Sequence, residues 1–306
     1  MKFLEVKDSS LVERLTVKNA FKKFIQHCTI KNLSKETIKF YKEKCNYFIS
    51  SIKETYIDEI TRRTIEDFVF YEKENDKRTT TLNTKLRGVR AFLYFCMERE
   101  YMKTFKIALL KADIVEKEPY SNTELALLLE RPKTKRWTDW RNWAMENYLL
   151  ATGNRIETVR NIKIKDLDFE NNLIKLSRTK NRKQQIIPMS KSLKSVIIDY
   201  LRTWDYTPDN YLFPQNEGKQ MARRTLQQAI SDYNKKKGIT KTSAHLFRHT
   251  FAKNYITAGG NMIKLQKLLG HSTLDMTMHY VNLYGSDLSE DYDNLNPLNN
   301  LITTKA

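Results

Sequence analysis

Residues 245–280 read HLFRHTFAKNYITAGGNMIKLQKLLGHSTLDMTMHY and hold four of the five histidines in the 306-residue chain. The stretch opens with His245 and Arg248 and ends at Tyr280. Because His245 and Arg248 are three positions apart, they would share one face of a helix. A phenol as nucleophile, imidazoles that handle protons and a guanidinium for the phosphate oxygens are the groups needed to attack a phosphodiester without a metal ion. The stretch therefore predicts a helical segment that carries a site for phosphodiester chemistry.

The charge of the chain indicates a polyanionic partner. Lys and Arg number 54 against 36 Asp and Glu, which gives a formal net charge of +18. An excess of this size on a folded chain favours nucleic acid. An anionic membrane surface is the weaker alternative, because no segment reaches about 18 consecutive apolar residues.

The N-terminus and the cysteines predict a cytoplasmic protein. Residues 1–7 contain no apolar run long enough for a secretory signal. Cys28, Cys45 and Cys96 are not paired at metal-site spacing. Cys45 and Cys96 fall on apolar helical stripes, so we interpret them as small buried residues in a reducing compartment.

Apolar periodicity and the scarcity of glycine and proline predict a mainly α-helical protein with one small antiparallel β-sheet. Residues 1–108 are expected to form a helical domain and residues 121–306 a second, mixed α/β domain. A charged stretch interrupts the periodic pattern between them, so residues 109–120 are predicted to be a linker.

The first domain contains several amphipathic patterns. Residues 34–52 are predicted to form a helix with Ser34 as its N-cap, and another helix is expected to begin near Thr61. A later helix has apolar residues at steps of three and four, namely Leu82, Leu86, Val89, Leu93 and Cys96. The other face of that helix carries Lys85, Arg87 and Arg90. A solvated face is the ordinary explanation, but in a chain this basic we predict these three as DNA-binding residues.

The second domain is predicted to contain helices and one β-meander. Ser121 and Glu124 have the spacing of a capping box, and Gly153 is the expected C-cap of a later helix. That helix places Trp137, Trp140, Ala144, Tyr148 and Ala151 on one stripe. Residues 166–189 are predicted to form three antiparallel strands, with the polar residues 180–183 at the second turn. Further helices are expected at 193–204, 223–235, 245–258 and 262–269.

Cleavage of DNA by a tyrosine has definite chemical needs. A phenol with a pKa of about 10 is only about 0.1% ionised at pH 7, a cost of about 4 kcal/mol, so a base must assist it. Arginines match the extra negative charge on the phosphate oxygens, and a lysine can protonate the leaving 5′ oxygen. The chain offers Arg155, Lys180, His245, Arg248, His271 and Tyr280.

These residues occur in the order and spacing of a known family. The chain resembles the tyrosine recombinases, which include phage-type integrases and Xer-type recombinases. The similar segments are 151–155 (ATGNR), 179–183 (TKNRK) with 186–189 (IIPM), 245–252 (HLFRHTFA), 268–272 (LLGHS) and 277–280 (TMHY). The resemblance covers residues 120–285, and residues 12–105 resemble the family's helical core-binding domain more loosely.

The resemblance implies a role for each residue. It implies that Tyr280 forms a 3′-phosphotyrosyl bond, that Arg155 and Arg248 hold the phosphate, and that Lys180 protonates the leaving oxygen. It also implies that His245 accepts the tyrosine proton or orients the phosphate, and that His271 donates a hydrogen bond to it. Lys183 is the alternative to Lys180, and Tyr284 is the alternative to Tyr280.

The resemblance also implies the partners. We expect double-stranded DNA with inverted-repeat core sites and a homotetramer on two such sites, without cofactor, metal or ATP. Arg182, Lys183, Arg223 and Arg224 are predicted as further DNA-binding residues. A metal pair at His245 and His249 is disfavoured, because the charge of Arg248 between them would repel a cation. Residues 286–306 are expected to pack on a neighbouring subunit, and docking on their own domain is the alternative.

Three questions stay open at this point. Many tyrosine recombinases carry a glutamate three residues after the first arginine, where this chain has Thr158 preceded by Glu157. Either Glu157 substitutes, or the contact to Arg155 is made in another way. A type IB topoisomerase and a non-catalytic DNA-binding protein are the alternative functions. Integration or excision of a mobile element and resolution of DNA dimers are the alternative biological roles, and a separate arm-binding domain is not expected.

Overall fold

The computed structural model describes residues 14–112, 118–176, 185–215 and 218–278. The chain divides into two compact units, Met1–Val115 and Glu116–Ala306. Among the described residues, no helix is long and apolar enough to cross a membrane.

Some of the predicted site residues lie outside the described residues. They are Lys180, Arg182 and Lys183 in the predicted turn between the last two strands, and Tyr280 beyond the last described helix. The predicted packing segment 286–306 lies outside as well.

Four helices form the described part of the first unit: α1 (Val17–Ile30), α2 (Lys35–Ser51), α3 (Arg62–Glu74) and α4 (Thr79–Glu98). The Ser34 hydroxyl accepts a hydrogen bond from the Thr37 amide at 3.1 Å, which confirms the predicted N-cap of α2. Thr61 precedes the first residue of α3, as predicted. The Ser34 hydroxyl thereby satisfies an amide group that has no partner inside the helix.

Helix α4 supplies much of the core of the first unit. The predicted apolar stripe is confirmed, because Leu82, Leu86, Val89, Leu93 and Cys96 are all fully buried. A side chain at Gly88 would come within 2.8 Å of the Lys44 Cβ, so glycine allows α4 to approach α2 closely. The polar face of α4 is thereby fixed in position by the packing of its apolar face.

The second unit contains eight described helices and one sheet. The helices are α5 (Asn122–Leu128), α6 (Trp137–Thr152), α7 (Ile156–Asn161), α8 (Lys191–Leu201), α9 (Arg223–Lys236), α10 (Ala244–Thr257), α11 (Met262–Leu269) and α12 (Asp275–Met278). The strands are β1 (Leu167–Asp168), β2 (Leu173–Leu176) and β3 (Gln185–Pro188). The mainly α fold with a small antiparallel sheet is therefore confirmed.

The sheet is the predicted meander, with strand order β1-β2-β3 and antiparallel pairing. Ile174 lies opposite Leu167 on one side and Ile187 on the other. These three residues are buried, whereas Lys175 and Ile186 on the other face are exposed. This alternation fixes the register, because a slip by one residue would expose the buried set.

Helix α6 runs through the core of the second unit and contacts α8, α9 and α10. The predicted single stripe is only partly right: Ala144 and Tyr148 are buried, but Ala151 is exposed. Trp143 and Met145, which lie off that stripe, are buried. A helix that is covered on several sides does not confine its apolar residues to one face.

Glu146 of α6 is fully buried, and within the described part of the chain neither carboxyl oxygen has a hydrogen-bond partner. Burial raises the pKa of this carboxyl well above its usual value of 4.5, and the positive charge of Lys237 opposes the shift. A buried carboxyl without partners favours its neutral form. Glu146 therefore holds a proton in the folded protein at a pH where it would lose that proton in the unfolded chain.

We expect Glu146→Gln to abolish a pH-dependent loss of stability. The stabilisation from the extra proton is complete below the unfolded pKa, near 4.5, and is lost as pH rises through the raised folded pKa. In this range the wild type loses up to about 1.4 kcal/mol per pH unit. The amide does not titrate, so the stability of the variant relative to wild type increases with pH.

Urea unfolding followed by tryptophan fluorescence measures this effect in the second unit, which contains all four tryptophans. Glu170→Gln is the matched control, because Glu170 is exposed in the same unit. Parallel stability curves for wild type and Glu146→Gln from about pH 5 to about pH 8 would refute the buried neutral carboxyl.

Candidate active site

The guanidinium of Arg248, on α10, is buried between two helix ends. Its Nη1 donates to the Gly153 carbonyl at 2.8 Å, and its Nη2 donates to the Leu269 carbonyl at 2.8 Å. These carbonyls terminate α6 and α11, where the last backbone oxygens have no partner inside the helix. The negative end of each helix dipole also faces a cation favourably. Arg248 is 1% exposed, so these contacts replace the water that its charge has lost.

Two glycines end the helices at the required points. Gly153 and Gly270 adopt left-handed conformations, with φ of 60° and 62°. A side chain at Gly153 would collide with Phe251 and Leu269, and one at Gly270 would approach the Gln185 Oε1 to 2.9 Å. Glycine is therefore needed at Gly153 both for the turn and for close packing against α10 and α11.

Arg155 meets Arg248 at the same helix end. It is the N-cap residue of α7, and its Nη1 donates to the Leu269 carbonyl at 3.3 Å. One carbonyl thus accepts hydrogen bonds from both guanidinium groups. The C-terminal dipole of α11 offsets part of the repulsion between them, and an anion bound to both would offset more.

Glu157 does not replace the family's glutamate as a support for Arg155. Its carboxylate accepts from Arg160 Nη1 at 2.9 Å and from Asn161 Nδ2 at 3.1 Å. The observed support for Arg155 comes from the Leu269 carbonyl instead. The question raised by Thr158 and Glu157 is therefore resolved in favour of a contact made in another way.

His271 is buried and neutral beside Arg248. Its Nε2 accepts from Arg248 Nη2 at 2.5 Å, and its Nδ1 lies 2.8 Å from the Thr277 hydroxyl. An arginine nitrogen can only donate, so Nε2 carries no proton and Nδ1 carries one. Burial lowers the pKa of His271 to about 4, and the positive charges of Arg248, Arg155 and His245 contribute. Hydrogen-bond donation from Nε2 to a phosphate, which the resemblance implies, would require the other tautomer of His271.

His245 lies on the exposed side of α10, close enough to influence the pKa of His271. Its ring contacts that of His249 edge to face, with centroids 5.4 Å apart. In the described part of the chain, no three His, Cys, Asp or Glu side chains are grouped as metal ligands. The structure therefore brings Arg155, His245, Arg248 and His271 together from three separate segments.

Gln185 joins the β-sheet to this site. It is the first residue of β3, and its Nε2 donates to the Lys267 carbonyl at 2.6 Å and to the Leu268 carbonyl at 3.0 Å. These bonds fix the strand to the same end of α11 that holds both arginines. Sequence reasoning missed Gln185, and its one signal was a polar residue at the beginning of an apolar strand.

The predicted DNA-binding cations differ in their surroundings. Arg87, Arg223 and Arg224 are exposed, and Arg90 is half-buried. Lys85 was expected on the same polar face, but its ammonium pairs with the buried Glu72 and lies 3.7 Å from the centre of the Tyr47 ring.

Tyr47 also donates a hydrogen bond to Glu72. A charge paired internally in this way is less available to a phosphate, so Lys85 is a weaker candidate for a DNA contact than the exposed arginines.

The sequence model of the Phage integrase family matches residues 121–286, and that of the phage integrase N-terminal SAM-like domain matches residues 21–100. The chain belongs to the phage integrase family. The resemblance to tyrosine recombinases is thereby confirmed, and this tyrosine recombinase belongs to a class of enzymes that cleave and rejoin DNA.

Curated relatives share the full length of the recombinase. The tyrosine recombinase XerD of Staphylococcus saprophyticus is 28% identical over 92% of this chain and 99% of its own length. The tyrosine recombinase XerC of Thermodesulfovibrio yellowstonii is 26% identical over 90% of this chain and 95% of its own length.

Solved structures share the fold at lower identity. The Tn1549 transposon integrase in complex with transposon right end DNA has a TM-score of 0.74 and 22% identity, over 92% of this chain and 99% of that one. A lambda integrase tetramer bound to a Holliday junction has a TM-score of 0.71 and 13% identity, over 89% of this chain and 78% of that one.

We expect Gln185→Ala to loosen β3 from α11. Loss of the two hydrogen bonds removes about 1–2 kcal/mol of local stability. Amide exchange in residues 185–189 and 265–270 should therefore accelerate about tenfold, as measured by hydrogen–deuterium exchange with mass spectrometry. Gln228→Ala on α9 is the control, since Gln228 bonds only to Asp232 on its own helix. Unchanged exchange in both segments would mean that Gln185 does not join them.

Proposed function

We propose that this tyrosine recombinase is a site-specific recombinase that cleaves DNA through a 3′-phosphotyrosyl bond to Tyr280. The observation that carries the proposal is the convergence of Arg155 and Arg248 on the Leu269 carbonyl, beside the neutral ring of His271. Two guanidinium groups that lie next to each other can bind the two non-bridging oxygens of one phosphate. Their positive charge stabilises the transition state more than the bound substrate, because negative charge increases on those oxygens during the reaction.

The chain connection favours Tyr280 as the nucleophile. Thr277 contacts His271, and three peptide links separate Thr277 from Tyr280. These links span at most about 11 Å, so the phenol can reach a phosphate held by the two arginines. Tyr280 attacks the phosphorus, its oxygen forms the new ester, and the bond to the 5′ oxygen breaks.

The remaining proton transfers are assigned to residues near the arginines in sequence or space. His245, exposed on α10, accepts the phenolic proton or orients the phosphate. Lys180, in the segment between β2 and β3, protonates the leaving 5′ oxygen. The support for Lys180 is that Gln185 fixes the nearby end of β3 to α11. No ATP or metal is required, because the phosphotyrosyl ester conserves the bond for rejoining.

We further propose that the first unit is a core-binding domain and the second a catalytic domain, which act on double-stranded DNA. Exposed Arg87, Arg223 and Arg224 and the net charge of +18 support electrostatic contact with the backbone. Arg182 and Lys183 are assigned to DNA as well, from their place in the predicted turn. Base contacts then set the site that is recognised.

The assembly is proposed to be a homotetramer on two inverted-repeat core sites, with residues 286–306 packed on a neighbouring subunit. The support is the tetrameric lambda integrase, whose fold this chain shares. The biological role is proposed to be integration and excision of a mobile element or resolution of DNA dimers, since relatives include XerD, XerC and a transposon integrase. Both roles act on paired sites in DNA, so we place the recombinase in the cytoplasm.

Tyr280→Phe should abolish covalent attachment to DNA. A suicide substrate nicked beside the cleavage position traps the adduct, which denaturing gel electrophoresis detects and peptide mapping locates. Tyr284→Phe is the control and should form the adduct at the wild-type rate. An adduct that persists in Tyr280→Phe, or that maps to another side chain, would overturn the assignment.

Arg248→Lys should slow adduct formation by about 10²–10³-fold, because lysine keeps the charge but cannot bond to both Gly153 and Leu269 carbonyls and the phosphate. The rate is measured in single turnover with the same nicked substrate. Lys253→Arg, on the same helix, tests for general effects on α10. A near-normal rate in Arg248→Lys would contradict the proposed phosphate clamp.

Arg87→Gln should lower the salt dependence of DNA binding, whereas a neutral Glu72→Gln/Lys85→Gln pair should not. Each lost phosphate contact reduces the slope of log K against log salt by about 0.9. The double variant removes the internal ion pair without leaving a buried charge. Binding to duplex DNA is titrated over a range of salt, and an equal reduction in both variants would restore Lys85 as a DNA contact.

A further inference from the structure

The Thr277 hydroxyl is a buried polar group next to the site. Thr277 is fully buried on α12, and its Oγ1 lies 2.8 Å from His271 Nδ1. The backbone holds it there, since the Thr277 amide donates to the Leu274 carbonyl at 2.7 Å.

The partners of the two His271 nitrogens differ in hydrogen-bonding capacity. Arg248 can only donate, so it requires a lone pair on Nε2. A hydroxyl can accept from a protonated Nδ1 or donate to an unprotonated one. Thr277 therefore accepts in the state seen here, and a rotation of its hydroxyl would serve the opposite tautomer.

We propose that Thr277 is a positioning residue, whose hydroxyl satisfies Nδ1 of His271 in either tautomer and so keeps the ring against Arg248 before the phosphate binds. Its catalytic consequence rests on the function proposed above. When the phosphate replaces His271 Nε2 as the acceptor for Arg248, one proton passes through water from Nδ1 to Nε2. The Thr277 hydroxyl then rotates and donates to the bare Nδ1. His271 then donates from Nε2 to the phosphate, and the ring stays neutral throughout.

The surroundings favour a change of tautomer over a gain of charge. Arg248 on α10, Arg155 before α7 and His245 on α10 all oppose a positive charge on the ring. Burial opposes it further. A second proton on His271 is therefore unfavourable at neutral pH, whereas an exchange of its single proton between the two nitrogens adds no charge.

The tautomer itself is the first test. Nitrogen NMR of the full chain, labelled at histidine, distinguishes a protonated Nδ1 from a protonated Nε2. Wild type and Thr277→Ser should show protonated Nδ1 and bare Nε2 at neutral pH. Thr277→Val lacks the hydroxyl, so the buried Nδ1–H loses its acceptor and the Nδ1 resonance should move from its wild-type position, while Arg248 keeps Nε2 bare. Thr273→Val, at an exposed threonine of the same segment, should resemble wild type.

The rate of adduct formation on the nicked substrate is the second test. Thr277→Val should be slowed about tenfold, and Thr277→Ser and Thr273→Val should react at nearly the wild-type rate. A purely structural role would lower the melting temperature without moving the Nδ1 resonance and without rescue of the rate by serine. Circular dichroism on each variant identifies a loss of folding.

Two outcomes would overturn the inference. One is a wild-type His271 with protonated Nε2 in the free protein. This measurement needs no variant, so it remains decisive even if Thr277→Val does not fold. The other is a folded Thr277→Val that keeps both the wild-type Nδ1 resonance and the wild-type rate. Failure of wild type to form any adduct would count against the proposed function, whereas the NMR result judges the role of Thr277 independently.

Discussion

The burial of the Arg248 guanidinium is the constraint on which the rest of the site depends. A charge removed from water is costly unless hydrogen bonds replace its hydration. The Gly153 and Leu269 carbonyls and His271 Nε2 provide that replacement, and two of these acceptors lie at helix ends. The ends of α6 and α11 must therefore meet at α10, which explains why glycines terminate both helices with so little room for a side chain.

Dipoles and neutral groups stabilise the cations of this site, and the carboxylate nearest in sequence takes no part. Glu157 binds Arg160 and Asn161, while the carbonyl end of α11 faces both arginines. Partial charges of this kind offset only part of the positive charge. The site therefore keeps a field that attracts an anion, and the same field keeps His271 neutral. In the first unit the opposite arrangement occurs, because Glu72 neutralises Lys85 directly.

The structure also connects elements that are distant in the chain. Gln185 links β3 to α11, α11 holds Arg155 and Arg248, and Thr277 links α12 to His271. Gln185, five residues after Lys180, and Thr277, three residues before Tyr280, are thus both bonded to residues at or next to the end of α11. Their shared support at the α11 terminus suits a reaction in which nucleophile, phosphate and proton donor must be aligned together.

The family, the helical class with its meander and the capping residues could be predicted from the amino-acid sequence, because motifs, periodicity and caps are local properties of the chain. The apolar stripe of α4 and the N-cap at Ser34 follow from spacing alone. The pairing of polar groups could be read only from the folded chain. Lys85, on a polar helical face, forms an ion pair with Glu72. Glu157 accepts a hydrogen bond from Arg160 and not from Arg155. The tautomer of His271 and the roles of Gln185 and Thr277 depend on contacts with residues far away in sequence or on another element, which no local pattern encodes.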